Sequence, residues 1–351
     1  MTRTNFIHSN KTILVTGAGG CIGSALTNAL AGFDPKLLIL LDHSEQNLYE
    51  VHCEFSTRRG RVRHVPVLGD ISDEALLAEL FERYRPDCIY HAAAFKHVPL
   101  MEANPIAVVR NNVLGTWVLA DAALKYGVEQ LLMISTDKAA NPRSVMGAAK
   151  RVAEMVLLRH GTSRRRMSAV RLGNVLGSHG SVVPLFREQI ERGGPVTVTH
   201  PDASRYFLSL EATVDLILAA AAFNENAGIF VPDLGEPVRI LSLAQDLIRR
   251  AGESAASKIE IVFTGLRPGD KMKEELVSEG ETLEQTSNRA LRRLQGGQAS
   301  DHLLDNALQA IQEGVRTRDL AALVEAFCKL IPAYQPSEVL AAVAASAASP
   351  S

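Results

Sequence analysis

The chain has 351 residues, 46% of them apolar, and a formal net charge of −2. That length holds one large α/β domain, alone or with a smaller lobe, and the near-neutral balance excludes the basic excess of a nucleic-acid binder. The cysteines, Cys21, Cys53, Cys88 and Cys328, form no CxxC pair, so no metal site and no disulfide framework are expected and a reducing cytoplasm is. The start, “MTRTNFIHSNK”, lacks the apolar core of a signal peptide, and no apolar run approaches the ~18 residues of a membrane span. The basic runs Arg164-Arg165-Arg166 and “STRRGRVRH” read as solvated loops.

In chain order, “TILVTG” predicts a first strand running into “AGGCIGSAL”, a helix start. Gly17, Gly20 and Gly23 have the spacing of a dinucleotide loop: one glycine for the tight turn, one for approach to a pyrophosphate, one for helix–strand packing. Cys21 and Ile22 open the helix, whose unpaired N–H groups suit phosphate. “LLILLDH” is a second strand ending in Asp42, which suits a ribose diol and repels a 2′-phosphate. NAD is therefore the expected cofactor, with NADP left open, and His43 and Ser44 follow in the same site. “VRHVPVLGD” is the third strand; Asp70 and Ile71 after it are expected at the adenine, with Ser72 capping the helix “DEALLAELFERY”. “DCIYHAAA” is the fourth strand and brings Ala92, Ala93 and Ala94 against the cofactor. One long helix is predicted over “PIAVVRNNVLGTWVLADAALKYG”, and “QLLMIST” and “SAVRLGN” complete the strands. Their continuous apolar character indicates a sheet buried on both faces.

After about residue 175 glycine and proline become frequent, with short strands and the helices “EATVDLILAAAAF” and “ILSLAQDLIRRAG”. The expected architecture is α/β, a Rossmann-type doubly wound parallel sheet over residues 10–175. A smaller C-terminal α/β substrate lobe, interleaved with the sheet, spans 176–335, and a low-complexity flexible tail spans 336–351.

The segment “ISTDKAANPRSVMGAAK” carries the chemistry. Ser135, Met146 and Lys150 occupy the Ser, Tyr and Lys positions of the extended short-chain dehydrogenase/reductase pattern, with a thioether where a phenol takes the alcohol proton. Asp137 and Lys138 directly follow Ser135 and Thr136 at the C-terminal end of a strand, where open α/β sheets bind ligands. An adjacent acid and base suit an elimination: one protonates a departing hydroxyl, the other takes the proton from the neighbouring carbon. The plain alternative is a turn with two surface charges.

With “TGAGGCIGSAL”, “LDHSEQNLYE”, “HAAAFKHVPLMEANP”, “RLGNVLGSHGSVVPLF”, “SRYF” and “GLRPGDKMKEEL”, the chain resembles the capsule-type UDP-N-acetylglucosamine 4,6-dehydratases over about residues 10–280. Within them it resembles the branch with methionine in place of tyrosine. The resemblance implies hydride transfer from C4 of a UDP-sugar to NAD, loss of water across C5 and C6, and hydride return to C6. The product would be UDP-2-acetamido-2,6-dideoxy-4-ketohexose, for surface polysaccharide or glycan synthesis. Asp137 matches the acid for the C6 hydroxyl and Lys138 the base for the C5 proton, its pKa expected to fall through burial, the nicotinamide and Lys150. Lys150 matches the nicotinamide-ribose ligand; Ser135 and Thr136 match donors to the C4 oxygen, with Asp137 or Lys138 as candidates for its proton. Lys96 is expected to face substrate and cofactor, and Asn174, Ser181, Val182, Arg205 and Arg267 to hold the UDP moiety. His97, His179 and His200 lack metal-ligand spacing.

Many members of that branch carry a membrane-spanning region and a further domain before the catalytic one; this chain reads as a free catalytic domain, and as a homo-oligomer. Two rival readings accompany this one. The first is a 4-epimerase or 4-ketoreductase of the same fold, the second a non-catalytic NAD-binding scaffold or sensor.

Overall fold

The structure is a computed structural model that describes residues 7–58, 62–161, 165–178, 180–223, 228–252 and 258–347. Arg164, part of “STRRGRVRH”, His179 and the last residues of the expected tail lie outside the described residues.

All of the predicted strands form: β1 (Thr12–Thr16), β2 (Leu37–Asp42), β3 (His64–Leu68), β4 (Cys88–His91), β5 (Gln130–Thr136) and β6 (Arg166–Leu172). With β7 (Ile229–Pro232) they pair in parallel in the order β3-β2-β1-β4-β5-β6-β7. The order reverses between β1 and β4, which opens a crevice at the C-terminal strand ends. A hairpin, β8 (Thr282–Gln285) and β9 (Leu291–Gln295), adds antiparallel to β7. Alternation along the strands makes two cores: Leu14, Ile39 and Leu41 join one, while Ile13, Val15, Leu38 and Leu40 join the other. Both faces are covered, which is why these strands read as unbroken apolar runs.

Helix α1 (Cys21–Leu30) follows the glycine loop. Helix α2 (Glu74–Tyr84) is capped by Asp73, which accepts from the Leu76 N–H at 3.0 Å. The expected cap, Ser72, instead donates its N–H and Oγ to Asp70 Oδ1, both at 2.8 Å. The single helix expected over residues 105–127 is interrupted: α-helix over Pro105–Val109, a π-turn over Arg110–Gly115, and α-helix again over Thr116–Lys125. The π-turn brings Asn112 to the backbone of Phe95, with Oδ1 accepting at 2.8 Å and Nδ2 donating at 2.9 Å. Such turns recur at functional sites.

Helix α3 (Val145–His160) is buried from Val145 to Leu157, pressed between the sheet and the C-terminal helices Asp301–Thr317 and Leu320–Leu330. Helix α4 (Val182–Glu191) and the helix Ile240–Arg250 enclose a third, smaller core of Phe186, Val196, Val198, Ala203, Ile240, Ala244 and Ile248. The flexible-tail expectation is corrected as far as residue 347, because Glu338–Ala347 is helical and Leu340 is buried in the main core. Ser337 Oγ also donates to Glu102 Oε2 at 2.5 Å. Alanine-rich sequence reads as low complexity, yet alanine is the strongest helix former, and one leucine supplies the anchor. Among the described residues no helix is long and apolar enough to cross a membrane, and no group of three or more His, Cys, Asp or Glu could hold a metal ion.

Candidate active site

The glycine loop has the geometry its spacing demands. Gly17 adopts φ +66°, and a Cβ there would stand 2.6 Å from the Ala93 nitrogen. A Cβ on Gly23 would stand 2.0 Å from the Gly17 carbonyl oxygen, so only glycine lets α1 approach the strand this closely. Gly20 is the N-cap of α1 and has no side chain to bond the first N–H groups, which Cys21, Ile22 and Gly23 carry. Asp42, at the end of β2, accepts from the N–H groups of Gly19 at 2.8 Å and Ser44 at 2.9 Å, locking the loop to the neighbouring strand.

A cavity of about 150 Å³ opens there, lined by Gly17, Gly20, Leu41, Asp42, His43, Asn47, Gly69, Ile71, Ala92, Ala93, Ala94 and Asn111. It unites most of the expected cofactor residues and adds Leu41, Asn47, Gly69 and Asn111, which the sequence reading missed. Asp70 does not line it; its side chain is exposed and bound to Ser72. The cradle would be filled by any Cβ at Gly17 and faces an uncapped helix start, so it fits a dinucleotide's pyrophosphate.

Beyond this cavity, β5 ends at Thr136 and a 3₁₀ turn, Asp137–Ala139, begins. Thr136 Oγ1 holds the turn, donating to Asp137 Oδ1 at 3.0 Å and accepting from the Lys138 N–H at 3.3 Å. Lys138 Nζ lies 2.9 Å from Asp137 Oδ1, 3.1 Å from Asn174 Oδ1 and 3.4 Å from Glu274 Oε1. Asp137 is fully buried and the Lys138 side chain is 19% exposed, so neither is a surface charge. Burial pushes the Asp137 carboxyl up; Lys138 opposes that and Glu274 adds to it. Burial alone would push Lys138 down, but Asp137 and Glu274 outweigh it and hold the ammonium above its ordinary range. The expectation of a lowered Lys138 pKa is thus corrected in the ligand-free protein. Asp137 Oδ2 and Glu274 Oε2 are buried without a hydrogen-bond partner.

Ser135 does not join this group. Side chains alternate along β5, and Ser135 Oγ donates to Glu154 Oε1 at 2.6 Å on the other face, which corrects its expected place at the substrate. Met146 is buried in the main core. Lys150, one turn along α3, is also buried, and burial pulls its pKa down to about 8 against the attraction of Glu154. His91, held between Thr16 Oγ1 at 2.7 Å and Thr116 Oγ1 at 2.9 Å, is pushed down to about 3 by burial and by Lys150, so it is neutral. Lys96 and Cys21 lie close enough to interact: burial lowers the Lys96 pKa, and negative charge on the Cys21 sulfur opposes that without reversing it.

The arginines expected at UDP are engaged within the protein. Arg205 donates from Nη1 to the carbonyls of Ser204 at 2.7 Å and Met272 at 3.1 Å, and from Nη2 to that of Lys271 at 2.7 Å. It therefore ties the segment bearing Glu274 to the strand Ser204–Arg205, with its Nε 3.6 Å from Glu274 Oε1. Arg267 is 58% exposed in its side chain and paired with Asp270 at 2.8 Å. Ser181 is the N-cap of α4, with its Oγ unpartnered, and Val182 packs on the third core. His97 lies under Gly180, whose Cβ would meet the ring at 2.4 Å, and His200 Nδ1 accepts from the Asp202 N–H at 3.1 Å. Glu274 and Lys271, which donates to the Ala140 carbonyl at 2.6 Å, were missed. The run “DKMKEE” shows five charges but not which of them turn inward.

Residues 13–295 match the family model described as polysaccharide biosynthesis protein. The chain belongs to this family. Its sequence places it with the CapD-like, extended short-chain dehydrogenase/reductase members: it is 50% identical to the capsular polysaccharide biosynthesis protein CapD of Staphylococcus aureus over 276 residues, which cover 78% of this chain and 46% of that protein. The chain thus spans about half the length of the curated relatives it matches first. Two further relatives cover more of their own length. One is the UDP-N-acetylglucosamine 4,6-dehydratase (inverting) of Campylobacter jejuni subsp. jejuni serotype O:23/36, 31% identical over 77% of this chain and 78% of that one. The other is the UDP-glucose 4-epimerase of Rickettsia massiliae, 32% identical over 78% of this chain and 79% of that one. The relatives of this chain therefore include both a sugar-nucleotide dehydratase and an epimerase.

Proposed function

We propose that the chain is a nucleotide-sugar 4,6-dehydratase that works with NAD, its substrate UDP-N-acetylglucosamine. The observation that carries this is the buried Asp137–Lys138 pair, 2.9 Å apart at the C-terminal end of β5. An epimerase or ketoreductase has no step that needs an acid and a base on adjacent carbons. The likeness to the Campylobacter dehydratase supports the same reading.

Gly17, Gly20 and the first turn of α1 would hold the pyrophosphate of NAD, and Asp42 a ribose. Bound NAD supplies the acceptor and donor of hydride. Gly17→Ala is expected to weaken NAD binding about tenfold or more, because it combines a left-handed φ with a clash and such strain costs roughly 1–3 kcal/mol. Calorimetric titration with NAD checks it.

The residues of the cluster then divide the proton work. In the resting ion pair one titrating proton sits on Lys138. Elimination needs that same proton on Asp137, leaving the amine free to take the C5 proton while the Asp137 carboxyl protonates the departing C6 hydroxyl. The C5–C6 double bond forms, water leaves, and the ion pair is restored. Thr136 keeps Asp137 aimed, and Lys150, with its lowered pKa, is available to the nicotinamide ribose. Met146 has no part in proton transfer. Met146→Tyr is expected to leave turnover no higher and to cost roughly 1–3 kcal/mol of stability, since a larger polar ring enters a filled core; turnover and thermal melting check both halves.

Incubating the protein with NAD and UDP-N-acetylglucosamine in D₂O tests the whole reading by NMR. A 4-keto-6-deoxy product carrying deuterium at C5 is expected. Epimerised or reduced sugar with its C5 hydrogen retained would instead make it the first rival, and NAD binding without change of the sugar would make it a scaffold.

A further inference from the structure

The acid–base pair has a third titratable neighbour. Glu274 is 3% exposed in its side chain, and its Oε1 stands 3.4 Å from Lys138 Nζ and 3.6 Å from Arg205 Nε. Its Oε2 is 3.5 Å from Lys271 Nζ and has no hydrogen-bond partner. The charged groups around it are Lys138 and Asp137 from the turn after β5, Arg205 from the strand Ser204–Arg205, and Lys271 from its own segment. Arg205 and Lys271 direct their short hydrogen bonds to backbone carbonyls, at 2.7 and 2.6 Å. Of these three cations among the described residues, Lys138 alone bridges two carboxylates, Asp137 at 2.9 Å and Glu274 at 3.4 Å.

We propose that Glu274 is a positioning residue that sets the protonation of the Asp137–Lys138 pair. Only its kinetic consequence rests on the dehydratase reading. A second carboxylate against the same ammonium keeps the proton on nitrogen while the site is empty, and so parks Lys138 beside Asp137. Once Lys138 gives that proton up, the same negative charge disfavours an ionised Asp137, so the proton is held on the acid. Both macroscopic titrations of the pair therefore lie higher with Glu274 ionised than without it.

Glu274→Gln removes one negative charge in nearly the same shape. In the ligand-free protein the titration of Lys138, followed by ¹³C-lysine NMR and assigned with Lys138→Arg, is expected to move down by about 1–3 pH units. With NAD and UDP-N-acetylglucosamine, both limbs of the kcat–pH profile are expected to move to lower pH while KM is unchanged. A brace without electrostatic influence would lower kcat and leave the limbs in place.

A Lys138 titration that stays put overturns the proposal whatever the activity. A titration that moves, in a protein whose wild type leaves the sugar untouched, upholds the proposal and removes the dehydratase reading instead. Limbs that stay fixed while the ligand-free titration moves also overturn it. If Glu274→Gln does not fold, Glu274→Asp carries the same two measurements: a carboxylate withdrawn by one methylene should give a smaller shift of the same sign, and no shift overturns the proposal.

Discussion

Lys138→Arg is expected to lower dehydratase turnover by about 10²–10⁴-fold while NAD still binds and the protein stays folded. Arginine keeps the positive charge between Asp137 and Glu274, so the buried Asp137 is not left without its cation. It does not lose a proton at any accessible pH, so it cannot accept the one from C5. Lys138→Met removes base and charge together. It is expected to lose as much turnover and some stability as well, with one of the two carboxylates taking up a proton. The comparison separates the base from the cation, and the measurements are single-turnover dehydration, deuterium wash-in at C5 and thermal melting. Lys138→Arg turning over within a few-fold of wild type would end the assignment of Lys138 as base. Loss of turnover with wash-in at C5 retained would move the defect to the departure of water, and so to Asp137.

Much of the fold was legible because its physics is local. Parallel strands covered on both faces must be continuously apolar, so “LLILLD” and “QLLMIST” announce themselves. The glycine loop is legible for a similar reason, since Gly17 and Gly23 stand where a Cβ cannot. What stayed hidden depends on partners far along the chain. Period-two alternation puts Ser135 and Thr136 on opposite faces, but nothing local says that Glu154 waits on one of them. A guanidinium binds carbonyls as well as phosphate, and nothing near Arg205 in the sequence announces its bonds to the backbone of Lys271 and Met272. The sign of the Lys138 shift comes from Asp137 and, after it, from Glu274, whose inward orientation no neighbouring residue reveals. Helix Glu338–Ala347 was obscured differently, by a composition that suits a tail and a helix equally.

The network behind Ser135 sets the largest stability effect. Arg171, fully buried, meets Glu154 with a two-pronged contact, Nε to Oε1 and Nη2 to Oε2, each at 2.9 Å. Its Nη1 reaches Glu281 at 3.0 Å and the Leu276 carbonyl at 2.7 Å, while Arg151 joins the same carboxylates at 3.0 and 2.6 Å. Arg171→Met strands two buried carboxylates on one arginine and is expected to cost roughly 3–5 kcal/mol, lowering the melting temperature by about 5–10 °C. The network also fixes an acid limit. Burial would raise the Glu154 carboxyl, but Arg171 and Arg151 outweigh it and hold the pKa down to about 2. A carboxyl depressed on folding contributes stability that is fully present above its unfolded value. As pH falls from about 4.5 toward 2 the unfolded chain takes the proton first, and roughly 3 kcal/mol is lost across that window. Glu154→Gln should therefore be less stable at pH 7 yet show a flatter decline between pH 4.5 and 2, read from urea midpoints at each pH. The double variant Arg171→Met, Glu154→Leu discriminates further. Buried ion networks are often replaceable by apolar side chains of similar volume, so it is expected to recover part of the loss of either single change. If it loses as much as both singles added together, the two side chains contribute independently and the coupled network is not what holds β6 to α3.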